Sequence, residues 1–519
     1  MDSFQTLVVL IFLATLLVGI AQKIGITYPI ALVLGGTAIG FIPCLASFSF
    51  NPNLILPIVL PPILYYAAFS ISFREFKKNW KEIFSLALGL VAATTFLVGL
   101  VFKWLFPELP WAIAFAFGAI VSPPDAIATT TILKRFAISP RLLAVLEGES
   151  LINDASALIL YRLTVVAALS GLFSLPEASL DFCKIVSGGI LVGFVLGHLL
   201  QNLSRKFLEP VVGVLFSFTI PYVTYILADA LGVSGVLAVV VNGLIGSRIL
   251  AKHHSSLRRV LGYAFWDTFV ILMNCFVFVL IGLQLRSFVS VMLPSQMLLY
   301  SAYGLLISLA LIVIRLLWVY SKSATSYLHA LVDQKKCHLC PHILREATLL
   351  GWSGMRGIVS LAAALALPYS LQGRDEIIFI TFVVLLVTLI LPSTTLTYLV
   401  HLMKLEHHVD HHGVHQTRKK LSDIAEERIK HLLERGEISD REHHFLADYF
   451  TLQRYVFEIS SSSLKKMSHL ETIRLKVIQS QRHMLLEMWE RLEIDDKLFH
   501  QMEHELDVQE SHIVRAELT

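Results

Sequence analysis

Ser122-Pro123-Pro124-Asp125 and Glu147-Gly148-Glu149-Ser150-Leu151-Ile152-Asn153-Asp154 place carboxylates inside runs that otherwise read as lipid-soluble helix. A charged carboxylate at the centre of a bilayer costs roughly 2.5–3.5 kcal/mol on insertion scales, so Asp125, Glu149 and Asp154 must be partnered or used. Two consecutive prolines remove backbone donors and free carbonyls, which membrane depth tolerates only where protein or a wet cavity re-satisfies them. Acids beside broken backbone are what a cation site in a carrier requires. Burial favours the protonated carboxyl and a bound cation favours the ionised one, so proton and cation compete for one group. The plain alternative for Asp125 is an acid that only pairs with a buried arginine; the adjacent prolines favour the site, because unwound carbonyls are typical partners of a transported ion.

On a helix Ser150 and Asp154 lie four apart and share a face, with Glu149 and Asn153 as the adjacent pair. One pair can face an ion while a structural partner holds the other. The candidate partner is Arg356 in Gly351-Trp352-Ser353-Gly354-Met355-Arg356-Gly357, and Glu149 is the acid it is expected to neutralise. Three glycines around an arginine suggest a second interrupted helix. A broken helix in each half of a chain points to inverted repeats around a midplane site.

The elements that must position these groups are membrane spans. Of 519 residues 55% are hydrophobic and only 16% charged, with mean hydropathy +0.68, which fits a polytopic membrane protein rather than a soluble one. Apolar runs long enough for a roughly 30 Å core fall near 5–22, 28–45, 53–73, 82–106, 110–133, 140–170 and 182–204. Others follow near 210–229, 232–250, 261–285, 296–320, 345–368 and 376–402, about thirteen in all. Alternate connections carry roughly eighteen Lys and Arg on one side against four on the other. That bias places the N-terminus outside and the C-terminus in the cytosol. The first run has no Lys or Arg before it and no small-residue cleavage pattern after it, so it is expected to be a span and not a signal peptide.

From about residue 403 the chain turns charged and His-rich. Residues 1–402 are therefore expected to form the membrane domain and 403–519 a cytosolic helical domain or dimer contact, with helical patterns near 417–435, 439–460, 464–492 and 495–515. Gly436-Glu437-Ile438-Ser439 reads as a helix stop followed by an N-cap. No phosphate loop, dinucleotide fingerprint or hydrolase elbow is present, so no enzyme, cofactor or nucleic-acid partner is expected, and ATP-driven transport would need another subunit. Cys44, Cys183, Cys275, Cys337 and Cys340 are too few and scattered for a disulfide framework.

SPPDAIA around Asp125, EGESLINDASALILYR, FWDTFVILMNCFVFVLIGLQL and GWSGMRGIVSLAAALALP together resemble the sodium/proton exchanger family, the electroneutral branch of the cation/proton antiporters in its bacterial and archaeal form. The motifs fall in family order over about 1–402. The resemblance implies an all-α protein of about thirteen transmembrane helices with inverted repeats and two broken crossing helices. It also implies a homodimer in a bacterial inner membrane that exchanges Na⁺ or Li⁺ for H⁺. By match of motif, Asp125, Asp154, Ser150 and the carbonyl of Pro124 would ligate the ion, with Glu149, Asn153 and Arg356 as the supporting network. The Asn before Asp154 marks the electroneutral branch, and an Asn carries no proton. Two departures stand out. Pro61-Pro62-Ile63-Leu64-Tyr65-Tyr66 puts Tyr66 where the family often has an acid, which bears on cation selectivity, and Pro124 replaces the usual Thr before the Asp.

Other intramembrane polar groups have quieter readings. Asp267, Asn274, Arg162 and Arg315 either stabilise helix contacts or line a cytosolic funnel, and His198 reads as a packed histidine rather than a pH sensor. Cys337, Cys340 and His342 supply soft ligands for zinc, but one short CxxC loop is a weak signal, and no resident metal is expected. The histidines from His407 to His415 read as a solvated linker before a metal or pH-sensing site. Beside Na⁺/H⁺ exchange stand K⁺/H⁺ exchange on the same scaffold and, from another class, a membrane sensor signalling through a tail whose partner the sequence does not name.

Overall fold

A long apolar run can satisfy its backbone in lipid only by closing the hydrogen bonds within the segment. Accordingly, the computed structural model is α-helical with no strand among its described residues. These are 3–24, 27–42, 52–136, 138–171, 174–207, 209–253, 255–332, 340–403, 411–448 and 469–491, with 502, 503, 506, 509 and 510. The zinc reading on Cys337, Cys340 and His342, and that on the histidine cluster, fall on residues or side chains outside this set.

Chain order begins with α1 (Ser3–Ile24), α2 (Tyr28–Gly40), α3 (Pro52–Ser70), α4 (Phe73–Lys78) and α5 (Trp80–Phe84). A π-helical turn, Ser85–Leu90, joins α5 to α6 (Val91–Leu105). Then come α7 (Trp111–Val121), α8 (Ala126–Leu133), α9 (Pro140–Ser170), α10 (Leu175–Ser204), α11 (Pro210–Ala230) and α12 (Gly235–His253). The membrane unit ends with α13 (Ser256–Val291), α14 (Pro294–Val332), α15 (Cys340–Trp352), α16 (Ile358–Leu365) and α17 (Arg374–Met403). Among the described residues eight helices are long and apolar enough to cross a membrane, with shorter apolar helices at Val8–Ile24, Tyr28–Gly40, Pro57–Ser70 and Gly235–Ile249.

Burial separates inner helices from outer ones. The most apolar stretch of Trp111–Leu133 is 78% buried, whereas those of α10, α11 and α14 are only 17%, 28% and 22% buried. The latter three therefore present apolar surface outward, as at Leu191, Phe194, Ile226 and Leu309. α9 is the central strut. Its Val145, Leu146 and Ile152 enter one hydrophobic cluster with α6, α7 and α17. Leu151, Ala155 and Ile159 enter a second with Tyr65, Val236, Val239 and Trp266. Ser139 starts α9 by accepting the Leu142 N–H, Pro140 fits the first turn, and Gly171 ends it at φ +70°. The acids of Glu147–Asp154 are thus carried on a helix wedged between two cores.

α2 and α13 cross closely because both sides are glycine: a Cβ at Gly36 would lie 2.5 Å from the Val279 carbonyl oxygen. Gly282 opposes Val33 in the same way.

The described chain divides into two compact units, Met1–His407 and His408–Thr519. In the second, α18 (His411–Glu434) stops at Gly436, which has φ +69° and whose neighbour Glu437 donates its N–H to Leu432 O at 3.0 Å. Ser439 then forms the expected cap: its N–H and Oγ both bond Glu442 Oε2 at 2.8 Å, and Glu442 N–H returns to Ser439 Oγ at 3.4 Å. The Ser439 backbone N–H, helped by its hydroxyl, holds the Glu442 carboxyl below the usual range. A helix His469–Glu490 follows.

Candidate cation site at the crossing of two interrupted helices

The prolines and glycines flagged in the sequence break two helices at the same place. α7 ends at Val121, residues 122–125 belong to no helix, with Asp125 extended, and α8 restarts at Ala126. α15 ends at Trp352, residues 354–357 belong to no helix, with Gly357 extended, and α16 restarts at Ile358. The two gaps are stitched together. Asp125 N–H donates to Met355 O at 2.6 Å, and Thr129 Oγ1 donates to Ser353 O at 3.1 Å. Gly357 lies against Asp125, where a Cβ would overlap the Asp125 carboxylate. Glycine is required there by contact with the acid, since its own φ of −129° is ordinary.

Asp125 occupies the N-cap of α8, with Oδ1 accepting the Ile127 N–H at 2.8 Å. α9 reaches this gap with two side chains. Ser150 Oγ accepts the Ala126 N–H at 3.2 Å, and Asn153 Nδ2 donates to Pro124 O at 2.9 Å. Pro124 O, expected as an ion ligand, is therefore engaged by Asn153. Asn153 is fully buried and its Oδ1 has no hydrogen-bond partner among the described residues. Asp154 lies one residue on and makes no hydrogen bond among the described residues. Asp125, Ser150 and Asp154 line one cavity of about 590 Å³, together with Tyr28, Tyr66 and Asp267.

The arginines divide their work differently from expectation. Glu149, 1% exposed, is held by Arg315 of α14, itself 2% exposed. Arg315 Nη1 bonds Glu149 Oε1, Nη2 bonds Oε2 at 2.8 Å, and Nε donates to Leu350 O at 3.2 Å. The expected Glu149–Arg356 pair is not formed. Arg356 instead donates Nε to Val121 O at 2.9 Å and Nη1 to Gly354 O at 2.5 Å, satisfying carbonyls that the two interruptions leave open. Gly354 has no room for a side chain because Arg315 and Arg356 converge on it. A lone arginine in the apolar middle of α14 was the available signal for Arg315, but a sequence does not show which of two arginines reaches one acid.

Among the other flagged groups, Tyr66 donates its hydroxyl to Asp267 Oδ1 within the cavity, and Asn274 lines it too. Arg162 is exposed on α9 and is not among the cavity-lining residues. His198 bonds its own helix at Phe194 O, 3.0 Å away, and packs on the Phe194 ring. Sequence reasoning missed Lys134 and Glu147, whose ion pair at 2.9 Å also lines the cavity. Glu147 entered the sequence reading only as part of the run to Asp154, and Lys134 was not singled out.

Comparison with known proteins decides the family. The family model for the transmembrane sodium/hydrogen exchanger matches residues 8–402. The chain belongs to the sodium/hydrogen exchanger family. It is similar to a sodium, potassium, lithium and rubidium/H⁺ antiporter of Bacillus pumilus, 32% identical over 391 residues, 72% of this chain and 58% of that protein. The chain thus matches little more than half the length of that relative. An uncharacterized Na⁺/H⁺ exchanger of Mycobacterium bovis is 30% identical over 98% of this chain and 96% of its own. The Na⁺/H⁺ antiporter ApNhaP of Aphanothece halophytica is 32% identical over 72% of this chain and 68% of its own. In fold the chain resembles the sodium proton antiporter MjNhaP1 of Methanocaldococcus jannaschii, with TM-score 0.61 and 23% identity over 78% of this chain and 99% of that one.

Proposed function

We propose that this chain is a secondary transporter, not an enzyme, that exchanges Na⁺ or Li⁺ for H⁺ electroneutrally, with cation and proton competing for Asp125 and Asp154. One observation carries the reading: both carboxylates share a cavity at a crossing of broken helices, and Asp154 is left without a hydrogen-bonded partner among the described residues. The crossing turns the N-termini of α8 and α16 toward the same place, and helix N-termini favour negative charge. The acids are thereby kept available to an ion rather than neutralised by arginine, while Arg315 satisfies Glu149 apart from them. One cation enters by displacing one proton from the pair, and the return of one proton releases it.

Alternating access then moves the loaded site between the two sides of an inner membrane. Lys134 and Glu147 line the cavity, and Lys134 belongs to the Lys/Arg-rich side. The cavity is therefore read as open to the cytosol, with the N-terminus outside, the C-terminus inside and about thirteen crossings. The protein is read as a homodimer in lipid, with residues 403–519 as a cytosolic helical domain. For one-for-one exchange the membrane potential drops out, and each pH unit balances about a tenfold cation gradient. K⁺/H⁺ exchange is the second reading, favoured by the potassium in the name of the Bacillus pumilus relative.

The test is collapse of a pH gradient in proteoliposomes on adding Na⁺, Li⁺ or K⁺ separately, with the potential clamped and then free, and Asp125→Asn as blank. Collapse with Na⁺ or Li⁺, absent from the blank and indifferent to potential, is expected. A response to K⁺ alone selects the second reading. No response to any cation overturns both and brings forward a sensor acting through the tail.

A further inference from the structure

Besides Asp125, Asp154 and the Glu147 paired with Lys134, the cavity has one more acid. Asp267 is exposed to it from α13, opposite Tyr66 of α3, whose hydroxyl donates to Asp267 Oδ1. Tyr66 is itself fixed: its ring stacks on Trp266 with centroids 5.9 Å apart and planes at 6°. Position 66 therefore supplies no charge of its own and instead points a donor at a carboxylate across the cavity.

Depth along the helices orders the groups. Asp267 stands eleven residues after Ser256, roughly 16 Å of helical rise. Asp154 stands fourteen residues after Pro140, roughly 21 Å. Both are measured from helix ends on the Lys/Arg-rich side, so Asp267 is the shallower acid. Asn274 lies seven residues deeper than Asp267, two turns along the same face of α13. It is 2% exposed, lines the cavity, and its Oδ1 has no hydrogen-bond partner among the described residues. The remaining charges lining the cavity are Lys134 and Glu147, which pair with each other, and the Asp125–Asp154 pair. α13 thus offers a charged oxygen near the mouth and a neutral one on the way in.

We propose that Asp267 gathers the transported cation at the cavity mouth, that Asn274 Oδ1 receives it on the way to Asp125 and Asp154, and that the Tyr66 hydroxyl restrains Asp267 by occupying one of its oxygens. Asp267 acts on the approach and not on the exchange step. It sets the cation concentration at which transport half-saturates, and not the maximal rate. This rests on the exchanger reading above.

The experiment measures apparent KM and maximal rate for Na⁺ in proteoliposomes of wild type, Asp267→Asn, Tyr66→Phe and the double variant. Asp267→Asn keeps an acceptor for Tyr66, so the link between α3 and α13 persists while the charge is gone. Its KM is expected to rise about three- to tenfold with the maximal rate within about twofold, since a charged cleft concentrates its counter-ion. The rise shrinks when choline chloride raises the ionic strength. Tyr66→Phe keeps the ring stack, frees the carboxylate and lowers KM by about two- to threefold, and the double variant behaves as Asp267→Asn. A wild-type KM in Asp267→Asn overturns the proposal, as does a slowed Tyr66→Phe with unchanged KM, the mark of a purely structural link. Should Asp267→Asn not fold, Tyr66→Phe decides alone, and an unchanged or raised KM refutes it. Inactive wild-type protein defeats the exchanger reading; active wild type with an indifferent Asp267 defeats only this inference.

Discussion

Removing Arg315 tests the division of labour between the two arginines. Glu149 and Arg315 are 1% and 2% exposed, and two guanidinium nitrogens meet two carboxylate oxygens. Arg315→Met leaves a carboxylate buried without its cation, a change that costs about 3–5 kcal/mol. At 1.4 kcal/mol per tenfold, the folding equilibrium falls by about two to three and a half orders of magnitude. Adding Glu149→Gln removes the stranded charge and is expected to recover most of that loss, to within about 1 kcal/mol of wild type, as replacement of buried pairs by uncharged groups often does. Arg356→Met behaves differently. It surrenders charge-assisted bonds to the Val121 and Gly354 carbonyls, worth about 1.5–3 kcal/mol each, but Glu149 keeps its partner. Glu149→Gln added to it should therefore worsen stability. Unfolding of the pure protein in mixed micelles, followed by tryptophan fluorescence, reads wild type, the three single variants (Glu149→Gln included) and the two double variants on one scale. Coupling of at least about 3 kcal/mol between positions 149 and 315, and below about 1 between 149 and 356, is expected. The opposite ranking, rescue of Arg356→Met by Glu149→Gln with none for Arg315→Met, refutes the assignment.

Three further outcomes follow from the same geometry. Asp125→Asn and Asp154→Asn should elute as wild type and lose exchange in proteoliposomes; wild-type exchange by Asp154→Asn would show the site to be misplaced. Gly357→Ala drives a methyl into the Asp125 carboxylate and should abolish exchange, whereas Gly171→Ala, strained only by its φ of +70°, should cost about 1 kcal/mol in melting and leave the rate per folded protein intact. Arg258 bonds Ser204 O at 2.9 Å, Ser204 Oγ at 2.5 Å and Gly213 O at 3.1 Å, tying the end of α10 to the start of α11. Arg258→Met should lose about 3 kcal/mol of stability in the same unfolding assay, with exchange per folded molecule unchanged.

Local features were legible because a residue type forces them. Pro123 and Pro124 cannot continue α7, and the glycines from 351 to 357 relax the backbone between α15 and α16, so both interruptions could be placed from the sequence. The stop at Gly436 and cap at Ser439 were legible for the same reason. Pairing was not. Glu149 sits in sequence near neither Arg315 nor Arg356, and the choice depends on how α14 and α15 pack against α9. Tyr66 and Asp267, 201 residues apart, could be suspected one at a time but not joined. Lys134 and Glu147 escaped because Lys134 looks like an ordinary helix-end charge and Glu147 like one more acid of its run until the cavity they both line is known.

The partners found at the crossing separate holding from binding. Every carbonyl that the breaks release near Asp125 and has a described donor is met by a fixed one: Val121 and Gly354 by Arg356, Pro124 by Asn153, and Met355 by the Asp125 N–H. These bonds tie α7, α8, α9 and the segment between α15 and α16 into one unit without touching the Asp154 carboxylate. An arginine placed on Asp154 would hold it ionised and closed to a proton, and carbonyls left without donors would favour a cation whatever the pH. The proposed competition between proton and cation needs both to be avoided. Asn153 serves that need as an amide, because it donates to Pro124 O without adding a second negative charge beside Asp154. Replacing Asn153 by Asp should therefore remove the donor and add a charge together, loosening the crossing and making exchange sensitive to membrane potential. A variant that kept potential-independent exchange would show that the amide only spaces the helices.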